Sequence, residues 1–156
     1  MRITLVCLGH NQPHWVVEAS EEYSKRFGRA WPFTLVELKP ERRSESRATE
    51  TILAEEAQKI RAHIPRGVAL VTLDERGLSL TSRALSEKLT ATAREHTETV
   101  FVIGSADGLD GELKRNATWQ WSLSALTLPH GLARIVATEQ LYRAISLAQG
   151  HPYHRD

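Results

Sequence analysis

VALVTLDERGLSLTSRALSEKLTATAREHTETVFVI, residues 68–103, carries both hydrophobic periods that decide the fold class. Val68 to Leu73 is a short apolar run rich in β-branched residues, and Thr99 to Ile103 is a second one that stops at Gly104. Such runs fit strands buried on both faces. Between them Asp74 and a polar loop containing Gly77 lead to Thr81, which is suited to cap a helix carrying Leu85 and Leu89. The stretch therefore predicts a strand, a helix and a second strand.

The same alternation extends in both directions. Towards the amino terminus, Ile3 to Leu8 reads as a strand ending at Gly9, and Pro13 opens a helix with Val16, Ala19, Tyr23 and Phe27 at helical spacing. Phe33 to Leu38 reads as another strand, and Thr49 begins a helix with Leu53, Ala57, Ile60 and Ile64 on one face until Pro65 and Gly67 stop it. Towards the carboxyl terminus, Ser122 to Leu128 reads as a strand or strand-loop ending at Pro129. From Gly131 a helix places Leu132, Ile135, Val136 and Ile145 on one face and ends at Gly150. The expected class is α/β, a mainly parallel sheet with helices on both faces. Ligands of such sheets sit beyond the carboxyl ends of the strands, here Leu73-Asp74, Gly104-Ser105 and whatever follows the last strand.

With 156 residues, 41% of them apolar and 25% charged, the chain has room and material for one core, and a single domain over residues 1–156 is expected. Cys7 is the only cysteine, which excludes an intrachain disulfide and a cysteine-built zinc site and fits a reducing compartment. The first apolar run is too short for a signal segment, and no other approaches a membrane span of roughly 20 residues. A cytoplasmic protein without membrane contact is the expectation.

Twenty Lys and Arg oppose nineteen Asp and Glu, a net charge of +1 that gives no bulk attraction to nucleic acid. The average hides a basic region, because residues 25–47 hold seven bases against three acids. Its loop carries Arg42, Arg43 and Arg47 and reads equally as a solvated surface loop or as a phosphate-contacting one.

The carboxyl-terminal third, WQWSLSALTLPHGLARIVATEQLYRAISLAQGHPYHRD from Trp119 to Asp156, is unlike the rest. Glu139 and Arg143 stand four residues apart, the spacing of a helix ion pair. Trp119 and Trp121, flanking Gln120 at strand-like alternation, are expected in a dimer seam rather than in base stacking. His130, His151 and His154 invite a metal, but His151 and His154 straddle Pro152 with only Asp156 nearby, so no metal is expected. Tyr153, His154 and Arg155 combine a stacking ring, a titratable imidazole and a phosphate-binding fork, residue types used on single-stranded RNA; a frayed tail is the competing reading. G-x-G-x-x-G, G-x-x-x-x-G-K-[ST] and G-x-S-x-G are all absent. From the residues alone the chain is an α/β protein acting on a small molecule or on RNA.

That carboxyl-terminal segment, with IGSADG at residues 103–108 and TLD at residues 72–74, closely resembles the ribosomal RNA large subunit methyltransferase H family of the SPOUT class. The resemblance covers essentially the whole chain and is strongest in SLSALTLPH and in EQLYRA followed by HPYHR. It implies a carboxyl-terminal trefoil knot, a homodimer, S-adenosyl-L-methionine as cofactor, and N3 methylation of a pseudouridine in a 23S ribosomal RNA stem-loop at the subunit interface of assembled ribosomes. The cofactor positions it implies are Leu73, Gly104, Leu123, Ser124, Ala125, Leu126, Thr127 and Leu128. Arg143, Tyr153, His154 and Arg155 are the candidate RNA contacts, with His154 as proton acceptor and Arg155 binding phosphate or the developing imide charge. The family commonly has a second glycine where this chain has Ser105, which a serine tolerates without strain if its φ is negative. His10, Asn11 and Gln12 likewise replace a lysine-containing run. A noncatalytic RNA-binding protein that keeps the fold, or a methyltransferase acting on another RNA such as transfer RNA, are the competing readings.

Overall fold

A computed structural model describes residues 1–153. His154 and Arg155, named above as candidate catalytic and RNA-contacting residues, lie outside the described residues. Ten elements follow one another as β1 (Arg2–Leu8), α1 (His14–Ser24), β2 (Phe33–Leu38), α2 (Thr49–Arg61), β3 (Ala69–Ser79), α3 (Ser82–Glu95), β4 (Glu98–Ile103), α4 (Gly111–Arg115), β5 (Trp119–Ser122) and α5 (His130–Ala148). The five strands form one sheet in the order β2-β1-β4-β3-β5, with every pairing parallel. No helix among the described residues is long and apolar enough to cross a membrane.

Alternation along the strands divides the core between two faces, as a pleated strand requires. Ile3, Leu5, Phe101, Ile103 and Val71 point to one side and meet Leu85 and Leu89 of α3 and Ala137, Leu141, Ala144 and Ile145 of α5. Val6, Leu8, Val100, Val102 and Leu70 point to the other and meet Ala57 and Ile60 of α2 and Leu113 of α4. Helices thus cover both faces, as expected. Thr81 caps α3 as its position predicts, its hydroxyl accepting from the Ala84 N-H at 3.1 Å.

Several boundaries differ from the sequence reading. The strand expected to stop at Leu73 continues to Ser79, because its polar second half still pairs with β5; the register breaks between Leu73 and Leu78, leaving residues 74–77 as a bulge. Gly77 sits in that bulge with the backbone of Gln120 and Trp121 so close that a Cβ would approach within 2.7 Å. The expected strand-loop from Ser122 to Leu128 is strand only at Ser122, the last residue of β5. Phe27 lies beyond the end of α1 and stacks on Phe33 with ring centroids 4.4 Å apart. Helix α4 carries no clear hydrophobic period in its five residues; Asp110 starts it by accepting from the Glu112 and Leu113 N-H groups, both at 3.0 Å.

Trp119 and Trp121 do not face a dimer seam. Both are buried within the chain, edge-on to Phe101 with ring centroids 6.0 Å away. The face of α5 that packs on the sheet is also displaced from the expected one. Arg134, Ala137, Thr138, Leu141, Ala144 and Ile145 are buried, whereas Leu132 is 41% exposed. Apolar residues surround this helix on more than one side, so periodicity alone could not select the buried stripe. The buried Arg134 guanidinium ion-pairs with Glu37 of β2 and donates to the Gly9 carbonyl at 3.1 Å, fixing α5 across the ends of β1 and β2. Beside it, burial pushes the Cys7 thiol up to about 12.

Gly77→Ala forces a methyl group into the β3-β5 backbone contact, and overpacking of this kind typically costs about 1–3 kcal/mol. Urea denaturation of the variant is expected to show that loss; an unchanged midpoint would mean that the bulge relaxes freely.

Candidate active site

The carboxyl ends of β3, β4 and β5 open onto a cavity of about 700 Å³, a volume suited to a small organic ligand. One wall is Leu73, Asp74 and Arg76 at the β3 bulge, another the loop from Gly104 to Gly108, and the third the loop from Leu123 to Pro129 leading into His130 of α5. Of the residues carried over from the resemblance, Leu73, Gly104, Leu123, Ser124, Leu126, Thr127 and Leu128 lie on this surface. Ala125 belongs to the same loop but is not part of the lining.

Each wall is built by local chemistry. At Gly104 an added Cβ would lie 2.3 Å from the Gly108 carbonyl oxygen and 2.8 Å from Leu109 Cγ, so only glycine lets the loop fold back here. Gly108 closes the turn with a φ of +85°, and Ser105 and Gly108 form a short antiparallel bridge. In the 123–129 loop, the Ser122 hydroxyl donates to the Ser124 carbonyl at 3.1 Å and Ser124 Oγ accepts from the Leu126 N-H at 2.9 Å. These side-chain bonds hold an irregular segment in one shape. Leu126 remains 75% exposed at the mouth, an apolar surface available to a ligand.

Three polar groups also line the cavity, of which the sequence points to Asp74 and His130 but not to Lys114. Lys114 of α4 donates to Asp74 Oδ2 at 3.1 Å, and Asp74 Oδ1 accepts from the Arg76 N-H at 3.0 Å. Burial pushes the Asp74 carboxyl up, but these two donors and the neighbouring positive charges outweigh it and hold the group below its usual range. His130 is half-buried on the wall; desolvation, with Arg134 and Arg43 nearby, lowers its pKa, opposed by a hydrogen bond with the Ser105 backbone and by Glu56. It is therefore neutral near pH 7. The place of Asp74 after an apolar run flags it in the sequence, whereas nothing local marks Lys114, which arrives from α4.

Ser105 has no positive φ, since Asn11 is the only described non-glycine residue with one. The condition under which a serine is tolerated at this position is therefore met. Its hydroxyl is buried and bonded to Glu56 and Arg43. Arg43 is thus tied into the protein, and Arg47 is tied to Glu55 at 2.6 Å and to the Arg42 carbonyl at 3.0 Å. Both arginines are held by partners within the chain, an outcome that neither the solvated nor the phosphate-contacting reading names.

Two further candidates meet away from the cavity. Arg143 donates twice to Glu139 Oε1, at 2.9 and 2.6 Å, the ion pair expected from their spacing. The Tyr153 hydroxyl donates to the same oxygen at 3.1 Å, while Arg143 lies over its ring at 5.0 Å. Burial and the adjacent Glu139 carboxylate push the Tyr153 phenol up to about 12, so it stays protonated as a donor. Tyr153 is docked rather than frayed. Among the described residues, no group of three or more His, Cys, Asp or Glu is placed to hold a metal.

The lowered His130 pKa has a consequence for stability. A folded-state pKa below the ordinary 6.5 means that the unfolded chain binds the proton first, so stability present above pH 6.5 is lost as the pH falls through the folded value. Thermal melts from pH 7.5 to 5 are expected to show a falling midpoint, with a shallower fall in His130→Asn; parallel curves would deny the contribution.

A family model described as "Predicted SPOUT methyltransferase" matches residues 1–154. A protein of Ralstonia pickettii named "Ribosomal RNA large subunit methyltransferase H" is 48% identical over 155 residues, covering 99% of each chain. Proteins of the same name from Ralstonia nicotianae and Nitrosospira multiformis are each 46% identical, again over 99% of both chains. A fully parallel sheet, a cavity at its carboxyl edge and a match along nearly the whole length agree: the chain belongs to the SPOUT methyltransferase family, whose fold carries a trefoil knot in its carboxyl-terminal part.

Proposed function

We propose that residues 1–156 form a single methyltransferase domain that methylates N3 of a pseudouridine in large-subunit 23S ribosomal RNA, using S-adenosyl-L-methionine in the cytoplasm. The observation that carries the reading is the cavity, lined by seven of the eight positions that the resemblance assigned to the cofactor. The name shared by the relatives supports ribosomal RNA as the substrate class.

The cavity fits that cofactor chemically. Leucine side chains from two walls, Leu73, Leu126 and Leu128, offer apolar surface to an aromatic base, and Asp74, Lys114 and His130 offer polar groups to its remainder. When bound, the cofactor supplies an electrophilic methyl group on a sulfonium. The chain's own contribution is to fix the approach in line and to keep water from the reacting atoms, because orientation supplies much of the acceleration in a substitution. N3 of the pseudouridine must lose its proton to act as the nucleophile. We assign the proton to His154, with Arg155 holding phosphate or the developing imide charge, and Arg143 and Tyr153 bordering the RNA.

A homodimer acting on the assembled ribosome completes the reading. Tyr153 is anchored to Glu139, six residues beyond Ala133 of the cavity wall and hence about 9 Å from it along α5 at 1.5 Å per residue. That separation supports an RNA surface shared between two subunits. The near-neutral charge supports dependence on a structured ribosomal site rather than on random RNA.

S-adenosyl-L-methionine is expected to raise the melting temperature, since a ligand at 100 times its Kd stabilises the native state by about 2.7 kcal/mol. Gly104→Ala is expected to abolish the shift, and a wild-type chain that shows none would remove the cofactor from the proposal. For the substrate, mass spectrometry of ribosomal RNA from cells lacking and regaining the gene is expected to show one methylpseudouridine lost and restored. Persistence of that nucleotide in the deletion would place the activity elsewhere.

A further inference from the structure

Behind the Gly104–Gly108 loop, on the side away from the cavity, lies a network that no step of the proposed chemistry uses. Its centre is Glu56 of α2, 1% exposed. Glu56 Oε1 accepts from Arg43 Nη1 at 2.7 Å and from the Glu41 N-H at 2.9 Å; Oε2 accepts from the Ser105 hydroxyl at 2.7 Å. Arg43 adds Nη2 to Ser105 Oγ at 2.5 Å, Nε to Asp107 Oδ2 at 3.0 Å and Nη1 to the Glu41 carbonyl at 2.7 Å. Neither Arg43 nor Glu56 lines the cavity, whereas Ser105 and Asp107 both do.

We infer that Arg43 and Glu56 are positioning residues, which set the cavity's affinity for its ligand by holding the 104–108 loop through Ser105 and Asp107. A buried carboxylate is tolerated only when fully paired, and both oxygens of Glu56 are. The planar fork of Arg43 meets Glu56, Ser105 and Asp107 at once, a geometry that a lysine ammonium cannot reproduce. The loop held in this way is the one in which backbone atoms crowd Gly104, and its Ser105 backbone engages His130 on the opposite wall. A shift at Arg43 therefore moves the 104–108 wall of the cavity. A wall ordered before binding spares the ligand the ordering cost, so loosening it costs affinity without unfolding the chain.

The inference rests on the cofactor assignment of the preceding section, and the test separates the two. Calorimetric titration of S-adenosyl-L-methionine into the full-length chain, without RNA, is run for wild type, Arg43→Lys, Ser105→Ala and Arg47→Ala. Arg47 belongs to the same loop and pairs with Glu55, the Arg42 carbonyl and the Glu41 carboxylate, but not with residues 104–108. Arg43→Lys is expected to weaken binding at least ten-fold and Ser105→Ala at least three-fold, with Arg47→Ala within two-fold of wild type. In turnover assays with ribosomes, Ser105→Ala is expected to raise KM for the cofactor while kcat stays within two-fold. Circular dichroism checks folding, and Ser105→Ala, which removes one oxygen atom, decides the matter if Arg43→Lys does not fold. Wild-type affinity in Ser105→Ala, or an equal loss in Arg47→Ala, overturns the inference and leaves the cofactor assignment standing. Failure of the wild-type chain to bind overturns both.

Discussion

At the carboxyl edge of the sheet, backbone packs directly against backbone, and the cavity depends on that contact. Gly104 folds against Gly108, and Gly77 lies against Gln120 and Trp121, in each case with no room for a Cβ. Because side chains are excluded there, three walls can converge within the volume of one small ligand. The strands supply the platform: their parallel register brings Leu73, at the start of the β3 bulge, beside both Ile103 at the end of β4 and Trp121 of β5.

Helix α5 joins this edge to the rest of the protein. Its first residue, His130, is on the cavity wall, and Gly131 lies so near α1 that a Cβ would be 2.8 Å from Val16 Cγ2. One turn later Arg134 is buried and paired with Glu37, a strong constraint because breaking such a pair would strand a charge in the interior. Further along, Glu139 gathers Arg143 and Tyr153 on one carboxylate oxygen. The helix thus ties the cavity to the last described residues.

Where the sequence was legible, the signal was local. The strands at Ile3 to Leu8, Phe33 to Leu38 and Thr99 to Ile103, the Thr81 cap and the Glu139-Arg143 pair each depend on residues a few positions apart. The resemblance added the cavity loops, which periodicity could not assign. The second half of β3 was missed because Asp74 to Gly77 carries the composition of a turn yet forms a bulge against β5. The tryptophans were misplaced because alternation shows that they share a face but not what covers it; Phe101 and the surrounding core do.

The sequence by itself determined the α/β class, most strand positions and, through its resemblance, the family and the loops that line the cavity. Tertiary structure alone decided which partners Arg43 and Arg47 take, which stripe of α5 is buried, and that Ser105 faces a buried carboxylate. The physical reason is separation along the chain. Arg43 and Ser105 are 62 residues apart, Ser105 and Glu56 49, and Arg134 and Glu37 97. Periodicity reports what a residue does to its neighbours within one or two turns. It carries no record of partners brought together only when the sheet closes and its helices pack.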